Sequence, residues 1–496
     1  MYTFYTGDGF AEGLKMDILL AHGYFLAEDP HELQVMKPYP PLGILHIAAY
    51  LKQQGFAVGV FDATFQRMAE FEALVRQERP SVVGLYTNMM TKFNILQMIA
   101  FCRAQGCTVI LGGPEPRYYA AEYLDAGADI IVKGEGELTL EALLPHLARH
   151  GLSGLDAIAG LIFRRDDGQL VETPDRPFIQ NLSAMPWPDR EAIDIPQYMR
   201  VWRKHHGQSS ISAICARGCP YTCTWCSHSV FGESHRRRDP EDMADEICWL
   251  KERYNPDLIW YADDVFTINH RWLFRFAEAL RARGVRIPFE CISRADRLNE
   301  EVIATLAEMG CYRLWIGSES GSQRVLDAMR RKTRVEDVQA KTRLLRQYGI
   351  QTGMFIMLGY EGETQEDLQA TVEHLKASNP DLFLTTVAYP IKGTPYYSQV
   401  ESRILATADW RHRADRDLTV AGRHSARFYR FATRWMVNAV KLHQARINSG
   451  AGPLSMARMA ANVAVGRLGM RLTRRELEQR GQPLHLPLSE SPAERQ

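Results

Sequence analysis

The stretch CPYTCTWC at residues 219–226 decides how the rest of this sequence is interpreted. Its three cysteines, Cys219, Cys223 and Cys226, follow the spacing C-x3-C-x2-C. Cysteine thiolates are the usual ligands of iron–sulfur clusters, so three of them can each hold one iron of a [4Fe-4S] cluster. The fourth iron would then have no protein ligand and could bind a small molecule. The stretch therefore predicts a reactive cluster rather than one that only carries electrons.

Two other interpretations of these cysteines stay open at this point. A structural zinc site needs four ligands, and Cys215 or His228 could supply the fourth. Cys215, however, lies in the apolar run 211–216, which favours a strand. A disulfide framework is disfavoured because the cysteines are not evenly spread and the N-terminus does not resemble a secretory signal.

The residues in and around the motif resemble those of the radical S-adenosylmethionine (SAM) enzymes. Arg217 and Gly218 precede the first cysteine, and the aromatic Trp225 lies between the last two, as is usual in that family. The resemblance implies that the free iron chelates the amino and carboxylate groups of SAM. Reduction of the cluster then cleaves SAM to methionine and a 5′-deoxyadenosyl radical. The three cysteines are thus both the implied catalytic residues and the implied metal ligands.

The composition is that of a soluble globular protein. The 496 residues are 46% hydrophobic and 24% charged, with no net formal charge. This length predicts two to four domains, and the neutral charge gives no sign of a nucleic-acid partner. No apolar stretch approaches the roughly 18 residues that suggest a membrane span. We therefore expect a cytoplasmic protein.

Residues 16–150 alternate predicted strands and helices, which indicates a doubly wound parallel sheet. Two strands end in the glycine-rich turns GGPEP (residues 112–116) and GEGE (residues 134–137), at the edge where such sheets bind ligands. The sequence contains neither G-x-G-x-x-G after the first strand nor a P-loop, so a nucleotide is poorly supported. With PPLG at residues 40–43, these turns resemble the cobalamin-binding domain of B12-dependent radical SAM enzymes.

This second resemblance implies that cobalamin contacts the strand ends of a Rossmann-like domain. The implied residues are Pro41, Thr87, Asn88, Gly112, Gly113, Glu115, Gly134 and Glu135. The D-x-H-x-x-G motif of other B12 proteins is missing and His22 does not fit it, so no histidine is expected below the cobalt. The alternative is a flavodoxin-like domain that does not bind B12.

Residues 211–395 contain six predicted strands, most of them followed by a helix, which matches the partial (β/α)6 TIM-type barrel of radical SAM proteins. The predicted strands are Ile211–Ala216, Leu258–Tyr261, Phe289–Ile292, Arg313–Ile316, Gly353–Leu358 and Leu382–Ala388. Catalytic groups of such barrels lie at the carboxyl ends of the strands. We therefore expect the reactive site at that edge.

The resemblance places SAM among the polar residues that follow these strands. Asp263, or alternatively Asp264, is implied to bind the amino group of SAM, Arg294 its carboxylate and Glu319 its ribose. The implied SAM site is completed by Trp225, Ser320 and Gly359. Each charged residue also has a structural interpretation. The aspartates could cap a helix, Arg294 could pair with Asp296, and Glu319 could cap the next helix.

The remaining segments are a connector at residues 151–210, an N-terminal extension at 1–15 and a disordered tail at 481–496. The connector is predicted to contain a small hairpin and an extended, proline-rich link that includes Ile195 and Pro196.

The C-terminal region, residues 396–480, is predicted to be helical. Its two amphipathic segments, 425–442 and 453–472, are interpreted as a cap beside the barrel with a solvated basic face. A substrate lid and peripheral contact with anionic lipid are the alternatives.

The two resemblances together imply methylation of an unactivated carbon in a small molecule, such as a secondary metabolite, lipid or tetrapyrrole. Methylcobalamin would deliver the methyl group after the deoxyadenosyl radical has removed a hydrogen atom. An external one-electron reductant such as flavodoxin or ferredoxin is also implied. An oxidative cyclase or rearrangement enzyme without methyl transfer is the alternative, and a non-catalytic corrinoid or iron–sulfur carrier is a third possibility.

Overall fold

The computed structural model describes residues 16–448 and 452–478, so the predictions for 1–15 and 481–496 lie outside the described residues. The chain divides into two compact units. The first unit consists of the described residues up to Pro220, together with Ser227–Leu258 and Trp410–Ala414. The second unit consists of Tyr221–Cys226, Ile259–Asp409 and the described residues from Asp415 onward. The boundary falls inside the cysteine stretch, between the first cysteine and the other two.

The first unit is built on a seven-stranded sheet with the order β2-β1-β3-β4-β5-β6-β7. Its strands are β1 Ile18–His22, β2 Val58–Phe61, β3 Val82–Tyr86, β4 Thr108–Gly112, β5 Ile130–Val132, β6 Leu161–Arg164 and β7 Leu170–Glu172. The first five strands run parallel, and β6 and β7 pair antiparallel at one edge. The predicted doubly wound parallel sheet is therefore confirmed, and the hairpin predicted in the connector belongs to it.

Apolar side chains of this sheet are buried on both of its faces. Along β1, Leu19 and Ala21 join one hydrophobic cluster with residues of the helices Met68–Glu78, Lys92–Ala104 and Ala120–Asp125. Ile18 and Leu20 join another with residues of the helices Leu42–Gln53 and Glu137–His150. This follows from the alternation of side chains along a strand. The helices of the first unit are α1 Glu32–Val35, α2 Leu42–Gln53, α3 Met68–Glu78, α4 Lys92–Ala104, α5 Ala120–Asp125, α6 Glu137–His150, α7 Ile195–His206 and α8 Pro240–Tyr254.

The extended link predicted around Ile195 and Pro196 is wrong, because these residues begin helix α7. Proline is tolerated in the first turn of a helix, where its missing N–H has no intrahelical partner. Asp194 caps the helix, since its Oδ1 accepts a hydrogen bond from the Gln197 backbone N–H at 2.9 Å.

The strand predicted at Ile211–Ala216 is shorter than expected. Strand β8 covers Ser210–Ala213, and Ala216–Arg217 forms a separate strand, β9, antiparallel to β10 at Arg236–Arg237. Cys215 lies between β8 and β9 and is fully buried.

The second unit contains the other five predicted barrel strands, which pair in parallel in chain order. They are β11 Leu258–Tyr261, β12 Phe289–Ser293, β13 Cys311–Glu319, β14 Gln351–Leu358 and β15 Leu382–Val387, followed by a short antiparallel pair, β16 Ile404–Leu405 and β17 Thr419–Val420. The helices of this unit are α9 His270–Ala282, α10 Glu300–Met309, α11 Gln323–Ala328, α12 Val335–Gln347, α13 Gln365–Ser378, α14 Pro395–Val400, α15 Ala426–Asn448 and α16 Pro453–Thr473.

Strand β13 extends three residues beyond its predicted end at Ile316. The register with β14 shifts between Gly317 and Glu319, and Glu319 has a positive φ of 61°. Glycine and serine favour turns, so the sequence suggested a loop here, whereas the structure accommodates them in a bulge at the strand end.

The two C-terminal helices pack closely together. A β-carbon on Gly466 would lie 2.7 Å from the Trp435 Cβ, and one on Gly469 would lie 2.2 Å from the Phe431 ring. The predicted C-terminal helices are therefore present, and glycines allow their close approach. Within residues 16–448 and 452–478, no helix has the length and apolar character needed to cross a bilayer.

Candidate active site

Two arginines converge on a cysteine of the CPYTCTWC stretch in the second unit. Cys223 is buried and Cys226 is exposed. The Arg331 and Arg294 Nη1 atoms lie 3.3 and 3.8 Å from the Cys223 Sγ. A hydrogen bond from the Cys226 thiol and the charges of both arginines lower the pKa of Cys223 to about 5, although burial opposes this. The local environment therefore stabilises a thiolate at Cys223.

Arg331 was not predicted from the sequence. Its Nη2 donates to the Gly317 carbonyl at 2.5 Å and lies 3.6 Å from a Glu319 carboxylate oxygen. The flanking Arg330 and Lys332 are exposed and have left-handed backbone conformations, with φ of 54° and 52°. In the sequence this cluster of cations resembles a solvated loop, and nothing in it distinguishes the buried member.

Arg294 is buried and its contacts are more extensive than expected. Its Nε donates to Asp296 at 2.8 Å, one Nη donates to Thr333 Oγ1 at 3.1 Å, and the same atom donates to the Arg331 carbonyl. Its guanidinium carbon lies 3.8 Å from the centroid of the Tyr221 ring. The pair with Asp296 is therefore present, but it orients a buried cation rather than a surface one.

The three predicted carboxylates do not cap helices. Asp263 follows β11 and is buried, whereas Asp264 beside it is exposed. Helix α9 takes its cap from Asn269, whose Oδ1 accepts from the Trp272 N–H, and α11 begins only after Ser322. Glu319 ends β13, where burial raises its pKa. Because β11, β12 and β13 are parallel neighbours, Asp263, Arg294 and Glu319 lie at the same edge of the sheet.

Ser320 lies directly after Glu319, and its hydroxyl is engaged within the fold. Its Oγ lies 3.2 Å from the Thr371 Oγ1 and accepts from the Ser322 N–H at 3.1 Å. Ser318 and Ser322 also bond to side chains of α13. These serines therefore fix the end of β13 against that helix.

Trp225 and Thr224 anchor the middle of the cysteine stretch within the second unit. The Trp225 Nε1 donates to the Tyr389 carbonyl at 2.8 Å. The Thr224 hydroxyl lies 2.6 Å from the Tyr360 hydroxyl, and the Thr224 N–H donates to the Met329 carbonyl at 3.1 Å. These contacts hold Thr224 and Trp225 against neighbouring parts of the second unit.

Gly359 immediately follows β14 in a conformation that requires glycine. Its φ is 72°, and a β-carbon there would lie 2.8 Å from the Tyr429 ring. Its N–H donates to the Glu363 Oε2 at 2.5 Å. Burial raises the pKa of Glu363 to about 8.

In the first unit, the ends of β3 and β4 meet through backbone contacts. The Thr87 N–H donates to the Gly112 carbonyl at 2.8 Å, and Gly113 has a φ of 108°. A β-carbon on Gly113 would lie 2.4 Å from the Thr87 carbonyl oxygen, whereas one on Gly112 would meet no atom within 4 Å. Asn88 stabilises the next turn, since its Oδ1 accepts from the Thr91 N–H at 3.0 Å.

The glycine-rich turn after β5 contains a charged residue with strong protein partners. Gly134 has a φ of 68°. The Glu135 carboxylate accepts from Arg217 Nη1 at 2.7 Å, from Arg236 Nη1 at 2.8 Å and from the Ile179 N–H at 2.8 Å. The side chain of Glu135 thus joins a buried ion-pair network, a role that the sequence did not suggest.

Pro41 and Glu115 are the other two residues predicted to contact cobalamin. Pro41 immediately precedes α2, and Glu115 is 8% exposed, with its Oε1 3.9 Å from the Lys92 Nζ.

His22, at the end of β1, has protein partners at both ring nitrogens. Its Nε2 lies 2.9 Å from the Asp62 Oδ1, and its Nδ1 accepts from the Tyr24 N–H at 3.2 Å. The Tyr198 hydroxyl donates to the Asp62 Oδ2 at 2.8 Å. Against the effect of burial, the hydrogen bond with His22 holds the pKa of Asp62 below its ordinary value. The imidazole is therefore engaged in the packing of the first unit.

Two family models match this chain, one in each of the two predicted domains. The model of the radical SAM superfamily matches residues 213–375, and that of the B12 binding domain matches residues 34–144. The chain is a B12-binding radical SAM enzyme. Both resemblances suggested by the sequence are thus confirmed.

Relatives of this B12-binding radical SAM enzyme include methyltransferases and a cyclase. An uncharacterised methyltransferase of Pyrococcus horikoshii is 26% identical over 380 residues, covering 75% of this chain and 81% of the relative. The anaerobic magnesium-protoporphyrin IX monomethyl ester cyclase of Synechocystis is 27% identical over 382 residues, covering 75% and 74%.

The fold is similar to that of TsrM from Kitasatospora setae, a radical SAM methyltransferase whose structure contains cobalamin and a [4Fe-4S] cluster. The TM-score is 0.67 at 21% identity, covering 79% of this chain and 81% of that one.

The cofactors of the B12-binding radical SAM enzyme are a [4Fe-4S] cluster, SAM and cobalamin. The residues fit these groups in two respects. The Arg331 and Arg294 charges beside the Cys223 sulfur favour its thiolate, the form that ligates iron, and a β-carbon on Gly112 would meet no protein atom within 4 Å, so a ligand can approach the backbone there. In the described part of the chain, no three His, Cys, Asp or Glu side chains are grouped around a single metal position.

Proposed function

We propose that this enzyme transfers a methyl group to a carbon atom of a small molecule. The proposal rests chiefly on the combination of a B12-binding domain with the arginine-flanked Cys223 at the strand ends of the radical SAM domain. When bound, the cluster and SAM supply a carbon-centred radical and cobalamin supplies a transferable methyl group. The protein contributes binding, orientation and electrostatics.

Cys219, Cys223 and Cys226 are proposed to hold the cluster. Arg331 and Arg294 place two positive charges beside the Cys223 sulfur, which favours the thiolate and an electron-accepting site. Because the Arg294 side chain is fixed by several acceptors, its position should change little when a ligand binds.

The SAM-binding roles are distributed along one sheet edge. We propose that Asp263, rather than the exposed Asp264, accepts hydrogen bonds from the SAM amino group. The Arg294 and Arg331 cations favour its carboxylate, and Glu319 accepts from the ribose hydroxyls. Trp225, Ser320 and Gly359 shape the site by fixing the cysteine stretch and the ends of β13 and β14.

The proposed cobalamin surface is mainly backbone. Pro41, Thr87, Asn88, Gly112, Gly113, Glu115, Gly134 and Glu135 are proposed to border it. The glycines allow close approach of a macrocycle. Glu135 accepts hydrogen bonds from Arg217 and Arg236, and these bonds hold the turn after β5 in place. Hydrogen bonds to the corrin amides would then come from backbone groups and from Asn88 and Thr87.

A second candidate function is oxidative ring closure without methyl transfer. The cyclase of Synechocystis favours it, since its coverage and identity match those of the methyltransferase relative. The family requires a small-molecule substrate and an electron source. Flavodoxin or ferredoxin as that source, and a cytoplasmic location, stay predictions.

The test is anaerobic turnover with SAM that carries a deuterated methyl group. Methyl transfer predicts formation of 5′-deoxyadenosine together with a product that gains the labelled methyl, whereas cyclisation predicts a product without label. Asp263→Ala should abolish SAM cleavage and leave the iron content unchanged, with Asp264→Ala as the matched control. Cleavage that survives in Asp263→Ala would contradict the proposed amino-group site.

A further inference from the structure

Helix α16 leaves three leucines exposed beside the side that packs on α15. Gly466, Gly469 and Met470 are buried, and the two glycines contact α15. Leu454 is 89%, Leu472 74% and Leu468 57% exposed. A helix that served only as a cap would gain stability by burying these leucines. Their exposure suggests that a partner covers this side of the helix.

The exposed apolar residues form one continuous stripe. Leu454, Ala461, Val465, Leu468 and Leu472 are separated by seven, four, three and four residues, which places them on one side of an α-helix. All five are exposed. At 1.5 Å per residue the stripe is about 27 Å long, so it is an extended surface rather than a single exposed side chain.

The same helix is strongly basic. Arg458, Arg467 and Arg471 lie within it, and residues 453–473 contain no aspartate or glutamate. Arg474 and Arg475 follow directly and are exposed, as are the three arginines of the helix. The Arg467 guanidinium carbon lies 5.7 Å from the centroid of the Trp435 ring and therefore faces α15. We call the stripe together with Arg458, Arg471, Arg474 and Arg475 the leucine–arginine face.

The acidic residues just beyond the helix do not neutralise this face. Glu476 pairs with Arg427 at 2.9 Å and accepts from the Ser425 hydroxyl, and the Glu478 carboxylate accepts from the Ala426 N–H at 2.8 Å. Arg474 has the Glu366 carboxylate nearby. The leucine–arginine face therefore combines apolar contact area with an excess of positive charge.

We propose that the leucine–arginine face docks onto an anionic lipid surface. Such a surface offers acyl chains to the leucines and negative headgroups to the arginines, as for other helices that lie in the membrane interface. A second copy of the chain complements the face less well, because a symmetric contact would bring the same arginines together without acidic partners. The docking is independent of the reaction proposed above.

The test uses the full-length protein, reconstituted with its cofactors, and sedimentation with lipid vesicles. We expect binding to vesicles of phosphatidylcholine with about one third phosphatidylglycerol, and weak binding to phosphatidylcholine alone. Leu468→Ser with Leu472→Ser should lower the partition coefficient at least about tenfold. Arg458→Gln with Arg471→Gln should lower it about fivefold per arginine, and salt should weaken binding of the wild type.

The matched control is Leu152→Ser with Leu170→Ser, which alters two leucines of the first unit that are 47% and 43% exposed. This variant should bind like the wild type. Three results would overturn the proposal: no binding of the wild type to anionic vesicles, equal binding to neutral ones, or unchanged binding of the Leu468/Leu472 variant. A change of oligomeric state in that variant without vesicle binding would instead identify a second copy as the partner.

Discussion

The two proposed cofactor regions use charge in opposite ways. Around Cys223 in the second unit, Arg294 and Arg331 direct their charge at a sulfur atom. At the sheet edge of the first unit, Glu135 is neutralised by Arg217 and Arg236, and the contacts between strand ends come from backbone and glycine. The comparison suggests that one region stabilises a reactive, charged centre, whereas the other offers a neutral surface to a large flat ligand.

The largest effect should come from removing the sulfur at which the arginines point. Cys223→Ala should reduce bound iron and lower SAM cleavage by at least about a thousandfold, because the cluster would lose one of its proposed ligands. Cys248→Ala is the matched control, since Cys248 lies on α8 and is not one of the three cysteines of the motif. Iron analysis and the yield of 5′-deoxyadenosine measure both variants. A normal iron content and a normal yield of 5′-deoxyadenosine in Cys223→Ala would contradict the proposed role of Cys223 as a cluster ligand.

Arg331→Gln should have the next largest effect. The change removes a buried cation beside Cys223 and leaves the Glu319 carboxylate without its ion-pair partner. We expect a more negative midpoint potential of the cluster, SAM cleavage about a hundredfold slower, and a loss of about 3 kcal/mol in unfolding free energy. Redox titration, turnover and denaturation measure these three quantities.

The neighbouring Arg330 provides the control for this prediction. It is exposed and belongs to the same loop, so Arg330→Gln should leave the potential and the stability unchanged. Arg331→Lys should restore part of the potential shift, because it keeps the charge without the planar contacts. Equal potentials in Arg331→Gln and wild type would show that the arginine has only a structural role.

These residues also show how much could be predicted from the sequence. The cysteine spacing and the order of strands and helices predicted both domains, because motif spacing and periodicity are local properties. The role of Arg331 could not be predicted, since its burial depends on how the α11–α12 loop folds back toward Cys223. The arginines that pair with Glu135 lie 82 and 101 residues away along the chain. The carboxylate was therefore evident from the sequence, whereas the arginines that neutralise it were not.

Gly113→Ala tests the first region and should mainly affect stability. The glycine has a φ of 108°, and an added β-carbon would lie 2.4 Å from the Thr87 carbonyl oxygen. We expect a loss of about 2–3 kcal/mol in unfolding free energy, with weaker cobalamin retention as a consequence. Denaturation and the visible absorbance of the purified protein measure the two effects.

Gly112→Ala separates strain from binding in the same turn. A β-carbon there meets no atom of the protein within 4 Å, so the fold should be nearly as stable as the wild type. If cobalamin approaches this glycine, retention should nevertheless fall. A variant with normal stability and normal cobalamin content would move the proposed binding surface away from Gly112.

The smallest effects concern two carboxyl groups whose pKa values are shifted in opposite directions. Burial raises the pKa of Glu363 from 4.5 to about 8. Between these values the folded chain binds more protons than the unfolded chain, so this group makes the protein less stable as the pH rises. Glu363→Gln should therefore stabilise the protein increasingly as the pH rises from 4 toward 8, and should leave the unfolding free energy nearly unchanged at pH 4.

Asp62 in the first unit should show the opposite dependence. Its pKa is held below the ordinary value by His22, so its stabilising effect is present above that value and is lost as the pH falls through the lowered pKa. Asp62→Asn should consequently destabilise the protein most at neutral pH and least in acid. Denaturation of both variants between about pH 2 and 8 measures the two slopes. Slopes of the same sign would contradict the distinction between a buried neutral acid in the second unit and a charge-paired acid in the first.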